Sequence, residues 1–176
     1  MKATVLRNLL GMLLVPVLFA CSAKIEGGSN EPEVTGPPAP SSGPLAGQLN
    51  GQPWKITSGQ ATRYLSSSGS EMLELVFWDD PHRVPCASVS PDDQGKAIYL
   101  VAHARTGETR HQFGSATKET SFYFGYPGES GRTYRMGTMG SSFIDVIDDW
   151  RVKGHLAVGG GTGFAASGVY SVRLCR

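Results

Sequence analysis

Glu71–Trp78 has the sequence EMLELVFW, and this stretch decides the fold class of the chain. Side chains alternate between the two faces of a strand, which gives one face three apolar residues: Leu73, Leu75 and Phe77. The other face carries three more beside a charge: Met72, Val76, Trp78 and Glu74. Asp79-Asp80-Pro81 ends the run. We predict a strand that is partly covered on both faces.

Similar short segments follow along the chain. Six of them are predicted to be strands: Ile98–His103, Thr120–Tyr126, Arg132–Gly137, Ser142–Ile147, Trp150–Val158 and Val169–Leu174. Turn signals lie between such segments, at Asn50-Gly51, at Asp148-Asp149 and in the glycine-rich loop Gly159–Gly163. No long helical periodicity occurs after the N-terminal apolar run. The pattern predicts an all-β domain over residues 45–176, an antiparallel β-sandwich or else a barrel.

Composition restricts the class of partner. The 176 residues include 23 Gly and 11 Pro, which favours turns and short strands over helices. The formal charge is +1, from 16 basic and 15 acidic residues. Loss of Lys2 and Arg7 with an N-terminal signal leaves 14 against 15, or −1. A nearly neutral protein has no electrostatic reason to bind nucleic acid.

The N-terminus is predicted to carry a secretion signal. Lys2 and Arg7 precede the apolar run Leu9–Ala20, which is too short to span a bilayer as a helix. The end of the run, Leu18-Phe19-Ala20-Cys21, resembles the lipobox of bacterial lipoproteins, in which a small residue precedes an invariant cysteine. The resemblance implies cleavage after residue 20 and acylation of Cys21, including palmitate-like chains that anchor the protein in a membrane. Ser22 follows the cysteine, and a residue other than Asp there implies the outer membrane of the cell envelope.

Residues 21–44 are predicted to be a disordered linker. Gly, Ser, Pro and Glu dominate this stretch, and such a composition cannot bury enough apolar surface to offset its ordering entropy. Pro37-Pro38-Ala39-Pro40 favours an extended, semi-rigid spacer.

Two cysteines remain once Cys21 is assigned to lipid. Cys86 and Cys175 form an even pair in an oxidising compartment, so we expect a disulfide between them. Two free, buried thiols are the alternative.

A second resemblance covers residues 45–176. Many secreted bacterial β-domains of unassigned function open with Asn-Gly-x-x-Trp and close with an alternating strand, a glycine-rich turn and a last strand ending in Cys. Asn50–Trp54, Val152-Lys153-Gly154 and Val172–Cys175 resemble that outline, which implies a fold and no particular activity. A lipocalin-like barrel is the alternative, although Gly51 and Trp54 are one residue too far apart for the lipocalin Gly-x-Trp motif.

No motif assigns chemistry. Three acidic groups have the composition of cation ligands but are better explained as turns, because they lack recognised ligand spacing: Asp79-Asp80 with His82, Asp92-Asp93, and Asp145 with Asp148-Asp149. Ser141-Ser142 has no nucleophile elbow around it. His103 and His111, beside Arg105 and Arg110, are expected at the surface. Four aromatic residues are candidates for a carbohydrate or peptide surface, with the core as the commoner place: Tyr123, Tyr126, Tyr134 and Trp150. We therefore assign no catalytic, metal or cofactor site.

The expected function is that of a lipid-anchored, non-enzymatic binding or structural module of the cell envelope. Its partners are the membrane, through the lipid, and an envelope protein or glycan. A hydrolase and a lipocalin-like carrier of small apolar ligands are the alternatives. A hydrolase needs a nucleophile and base in a cleft, a carrier needs an apolar cavity, and a protein-binding module needs an exposed aromatic patch or an open sheet edge.

Overall fold

The computed structural model describes residues 38–87, 95–112, 120–129 and 131–176. Within these ranges the chain forms eleven strands: β1 (Ala46–Leu49), β2 (Gln52–Lys55), β3 (Ser58–Leu65), β4 (Glu71–Trp78), β5 (Ala97–His103), β6 (Gly107–Gln112), β7 (Ser121–Gly128), β8 (Gly131–Met136), β9 (Met139–Ile147), β10 (Arg151–Gly159) and β11 (Ala165–Cys175). The all-β prediction is confirmed. No helix in the described ranges has the length and apolar character needed to cross a bilayer. The predicted signal, Cys21 and Asp92-Asp93 lie outside the described residues.

Strand β4 lies inside the sheet, between β3 and β5, as its apolar sequence predicts. The side chains of Leu73, Leu75 and Phe77 are fully buried in the main core. On the opposite face, Val76 and Trp78 form a second, smaller cluster with Ala97, and Tyr99 packs against it. Coverage of both faces explains why six of eight positions in this strand are buried.

The strands form one sheet in the order β6-β9-β10-β11-β3-β4-β5-β7-β8, and β1 joins it by pairing with both β11 and β2. Asn50 and Gly51, both with positive φ, make the tight turn between β1 and β2 that Asn-Gly predicts. The pair β3–β11 is parallel, with Arg173 opposite Gln60. The sheet is therefore mixed and not wholly antiparallel as predicted, because alternation along a strand does not specify the direction of its neighbour.

The sheet curls around the main core. Two residues, Gly137 and Thr138, join β8 to β9 and bond to strands in opposite halves of the sheet, β7 and β10. The Gly137 N–H donates to the Phe122 carbonyl and the Thr138 N–H to the Gly159 carbonyl, both at 2.9 Å. The curl is that of a half-barrel, and the predicted sandwich and its barrel alternative both stay predictions. Side chains fill its interior, among them Phe122, Leu100 and Val158.

Two strands were not predicted. β3, SGQATRYL, has apolar side chains only at Ala61 and at its last two residues, and β6, GETRHQ, contains no apolar side chain that would reveal a strand. Alternation along the predicted strand Trp150–Val158 places Val152, Leu156 and Val158 inward and Lys153 and His155 outward. The structure confirms this for β10, where the first three are buried and the other two half-buried.

The last residues of the predicted linker contact the sheet. The Val169 N–H donates to the Gly43 carbonyl at 2.8 Å, and the Leu45 N–H donates to the Val169 carbonyl at 2.9 Å. The Ser167 hydroxyl donates to the Ala39 carbonyl at 2.8 Å. Residues 39–44 thus extend the contacts of β11 on the N-terminal side of Leu45.

Candidate functional site

Cys86 and Cys175 form the predicted disulfide. Their sulfur atoms lie 2.09 Å apart and their Cα atoms 5.4 Å apart. The bridge ties the loop after β4 to the end of β11. The same loop is held by the backbone N–H of Cys86, which donates to Oε1 of Gln60 at 2.7 Å. Arg83 in this loop lies over the Trp78 ring, 4.9 Å from its centroid, so the loop covers the outer face of β4.

Three of the aspartates singled out in the sequence, Asp79, Asp80 and Asp148, bind backbone amides. Asp80 Oδ1 accepts from the His82 N–H at 2.8 Å, and Asp79 Oδ1 from the Lys96 N–H at 3.1 Å. Asp148 Oδ1 accepts from the Arg151 N–H at 2.9 Å in the predicted turn. Within the described ranges, no group of three or more His, Cys, Asp or Glu side chains is placed to hold a metal ion.

His111 is buried, which corrects its prediction as a surface residue. The strand β6 pairs with β9 and turns His111 toward the core, where its ring meets Phe122 edge-on at 5.6 Å. His111 Nε2 lies 2.9 Å from Oγ of Ser142. Arg110, the next residue back, is exposed and pairs with Glu108 at 3.1 Å.

The His111–Ser142 pair is not an activated nucleophile. The side chains are 4% and 1% exposed, so a substrate cannot reach the hydroxyl. His111 Nδ1 is buried and has no hydrogen-bond partner in the described part of the chain. At this buried position, Nδ1 without a proton costs less free energy than an Nδ1–H group without an acceptor. This favours the tautomer in which Nε2–H donates to Ser142. In that tautomer His111 cannot accept the serine proton.

An aromatic surface lies on the outer face of β5, β7 and β8. It consists of three tyrosines and an adjoining methionine, which together we call the aromatic shelf: Tyr99, Tyr123, Tyr134 and Met136. The register places Tyr99 beside Tyr123 and Tyr123 beside Met136. Tyr134 meets Tyr99 edge-on at 5.6 Å and is 57% exposed, while Met136 is 45% exposed.

Two of the four aromatic candidates therefore share a surface, and two do not. Tyr123 and Tyr134 belong to the shelf. Tyr126 packs on Phe164 with ring centroids 5.2 Å apart, beside the main core. Trp150 is exposed at the β9–β10 turn with Arg151 over its ring. Sequence reasoning missed Tyr99, whose place in the shelf follows from outward alternation along β5.

β8 presents backbone groups at the edge of the sheet. In the ranges that the structure describes, β7 is the one strand paired with β8. Hydrogen-bonded and non-hydrogen-bonded pairs alternate along an antiparallel ladder. The Gly137 N–H donates to the Phe122 carbonyl, which makes Phe122–Gly137 a hydrogen-bonded pair. By alternation, the pairs Tyr123–Met136 and Gly125–Tyr134 are of the non-hydrogen-bonded kind. The N–H and C=O groups of Tyr134 and Met136 consequently point away from β7.

β8 is also basic. Arg132 lies over the Tyr99 ring and donates to the Tyr99 hydroxyl and to the Gly95 carbonyl. Arg135 donates through Nε to the Gly160 carbonyl at 2.7 Å and lies over the Phe164 ring. Both partners of Arg135 are neutral, so this arginine keeps a positive field on a strand that contains no acidic residue.

No family model, no curated protein and no solved structure matches the chain.

Proposed function

We propose that this chain is a lipid-anchored protein of the bacterial cell envelope whose β-domain is a non-enzymatic binding module. We further propose that β8 takes up an extended, acidic segment of a partner protein as an added strand. The observation that carries this proposal is the edge of β8, where outward backbone groups of Tyr134 and Met136 lie beside their exposed side chains.

Strand addition suits such an edge. Main-chain hydrogen bonds from the incoming segment supply affinity, and alternate side chains supply specificity. An unpaired edge is otherwise an aggregation hazard. The exposed tyrosine and methionine next to this edge offer apolar contact to every second side chain of an added segment.

The charge of β8 selects the partner chemistry. Arg135 directly follows Tyr134 in sequence, and its charge meets only the Gly160 carbonyl and the Phe164 ring among the described residues. A partner segment with carboxylates complements this field, whereas a lysine-rich segment is repelled. An envelope glycan would use the tyrosine rings alone and would not need the backbone edge.

A hydrolase is the second candidate, and the 2.9 Å contact between His111 and Ser142 is the observation in its favour. Burial of both side chains and the tautomer that donates to the serine speak against it. A carrier of apolar ligands is disfavoured because core side chains occupy the interior of the curl.

The lipid anchor is supported by the lipobox-like sequence. Cys21→Ser removes the thiol that would carry the diacylglyceryl group, so the variant should leave the membrane fraction when produced in a bacterial host. Ser29→Ala is the matched control, since it changes one residue of the predicted linker and keeps the Cys21 thiol. Membrane association that persists in Cys21→Ser would contradict lipidation.

Binding at β8 is tested with synthetic peptides in which Val alternates with Glu or with Lys. The Glu peptide should shift the amide resonances of residues 131–136 in NMR spectra of the protein, and the Lys peptide should bind at least about tenfold more weakly. Met136→Pro removes one outward N–H while leaving the β7 ladder intact, and it should abolish the shifts.

Side-chain specificity has its own control. Tyr134→Ala should weaken binding of the Glu peptide by about tenfold, whereas Tyr64→Ala, the same change at an exposed tyrosine on β3, should leave it unchanged. Absence of saturable shifts with the Glu peptide at about 5 mM would overturn strand addition. Binding of chitohexaose at Tyr134 without peptide binding would show a glycan partner and would equally overturn it.

A further inference from the structure

The strand pairing along one edge of β11 has a break. β1 covers this edge at Ala165–Ser167 and β3 covers it at Arg173–Cys175. Between them lies a cleft of about 500 Å³. Its lining includes Pro44 before β1, Ile56 between β2 and β3, Asp145 on β9, Lys153 on β10, and Val169 and Tyr170 on β11.

A β-bulge places the acidic group of the cleft. Lys153 pairs with Val146 and Gly154 pairs with Ile144, so Asp145 is the extra residue of β9. A bulge of this kind redirects a side chain, and bulges are frequent beside binding sites. The Asp145 carboxylate lies 3.9 Å from Nδ1 of His155, which is a long contact for an ion pair. Its side chain stays half-exposed, so it can still bind a ligand cation.

Tyr170 supplies a hydroxyl that nothing in the described chain satisfies. Its side chain is 5% exposed, its ring packs on Phe77 at 4.9 Å, and its Oη is buried without a hydrogen-bond partner. The ring lies against Gly154, where a Cβ atom would come within 2.6 Å of the hydroxyl. Burial raises the pKa of Tyr170, and the charge of Asp145 raises it further, so the hydroxyl stays a neutral donor. A buried hydroxyl without a partner is unfavourable in the free protein.

The cleft contains opposite charges that do not neutralise one another. The ion pairs found within the described ranges do not include Lys153, although Lys153 and Asp145 line the same cleft. Two hydroxyls of the wall are already engaged: Thr57 donates to the Trp78 carbonyl and Ser58 to the Asp80 carbonyl. The charged pair is therefore the main polar feature open to a ligand.

We infer that this cleft binds a small zwitterion of the amino-acid class. The ligand's ammonium group pairs with Asp145, its carboxylate pairs with Lys153, and an aliphatic side chain packs against Ile56, Pro44 and Val169. A site of a few placed polar groups beside apolar wall is typical for small-molecule recognition. This site is separate from β8, so it stands or falls independently of strand addition.

The test uses L-leucine and two analogues that each lack one charge, 3-methylbutylamine and 4-methylpentanoate. In NMR titrations of the full chain, leucine should produce saturable shifts of the Gly154, Val169 and Ser171 amides at up to about 20 mM. Each analogue should bind at least about tenfold more weakly, because one charged contact is missing.

Variants that remove one charge at a time test the roles of Asp145 and Lys153. Asp145→Asn and Lys153→Gln should each weaken leucine binding by about tenfold or more. Asp149→Asn, in the neighbouring turn, and Lys55→Gln, on the exposed side of β2, are the matched controls and should bind as the parent does. Absence of saturable shifts, equal binding of the two analogues and leucine, or unchanged binding in both cleft variants would overturn the proposal.

Discussion

His111 Nε2 lies 2.9 Å from the hydroxyl oxygen of Ser142, although 31 residues separate them in the sequence. The pair lies on the inner face of β6 and β9, against the edge of the Phe122 ring. Burial lowers the pKa of His111 from 6.5 to about 4, because the charged imidazolium cannot be solvated there. The pair is thus a neutral structural contact with a consequence for acid stability.

Acid should destabilise the fold through His111. Between pH 6.5 and about 4 the unfolded chain binds a proton that the folded chain does not, so the free energy of unfolding should fall as pH is lowered through this window. The loss from this group is up to about 3 kcal/mol. Urea unfolding at stepped pH measures it. His111→Gln should flatten the dependence of the unfolding free energy on pH between 6.5 and about 4. His82→Gln, at an exposed histidine, is the control and should leave that dependence as in the parent. An unchanged dependence in His111→Gln would contradict this assignment.

Ser142→Ala should destabilise the protein by about 1–3 kcal/mol, because it removes the hydrogen-bond partner of a buried ring nitrogen. Ser141→Ala changes the neighbouring serine, which does not bond to His111, and should have a much smaller effect. Equal melting temperatures for Ser142→Ala and the parent would argue against the hydrogen bond.

Tyr170→Phe should stabilise the free protein by about 1 kcal/mol, since it deletes a buried hydroxyl without a partner and keeps the ring on Phe77. The variant should also lose less stability above pH 10. There the unfolded tyrosine releases its proton while the folded one retains it, so the parent's unfolding free energy decreases as pH rises. Denaturant unfolding at pH 7 and 10.5 tests both effects. A destabilised variant would indicate that the hydroxyl is hydrogen-bonded.

Removal of the disulfide should lower the free energy of unfolding by up to about 4.5 kcal/mol, because the bridge closes a loop of 89 residues in the unfolded chain. The double variant Cys86→Ser/Cys175→Ser should match the reduced parent protein in urea unfolding. Mass spectrometry of the non-reduced parent should show the chain two hydrogens lighter than its free-thiol form. Two free thiols there would disprove the bridge in solution.

Shortening the linker should have two different effects. Deletion of residues 22–37 should leave the unfolding free energy unchanged, as expected for a Pro- and Ser-rich spacer. Deletion of 22–44 removes the Gly43 carbonyl that accepts from Val169 and should destabilise by about 1–2 kcal/mol. Thermal melting of both variants compares them directly, and equal stability would mean that the contacts of residues 39–44 contribute nothing.

The sequence by itself determined the features that depend on neighbouring residues. Alternation identified β4 with apolar residues on both faces and the inward positions of β10, and Asn50-Gly51 specified its hairpin turn. These features follow from the period of a strand and from the backbone freedom of particular residues. The pairing of Cys86 with Cys175 followed from counting cysteines.

Only the tertiary structure decided which distant residues meet. The polar strand β6 has no apolar alternation, so nothing local predicted that His111 would be buried beside Ser142. The parallel pair β3–β11 and the break along β11 depend on the sheet's curl, and the Asp145 bulge depends on the register between β9 and β10. Periodicity is a property of one strand, whereas partner, direction and register are set by the packing of the whole sheet around its core.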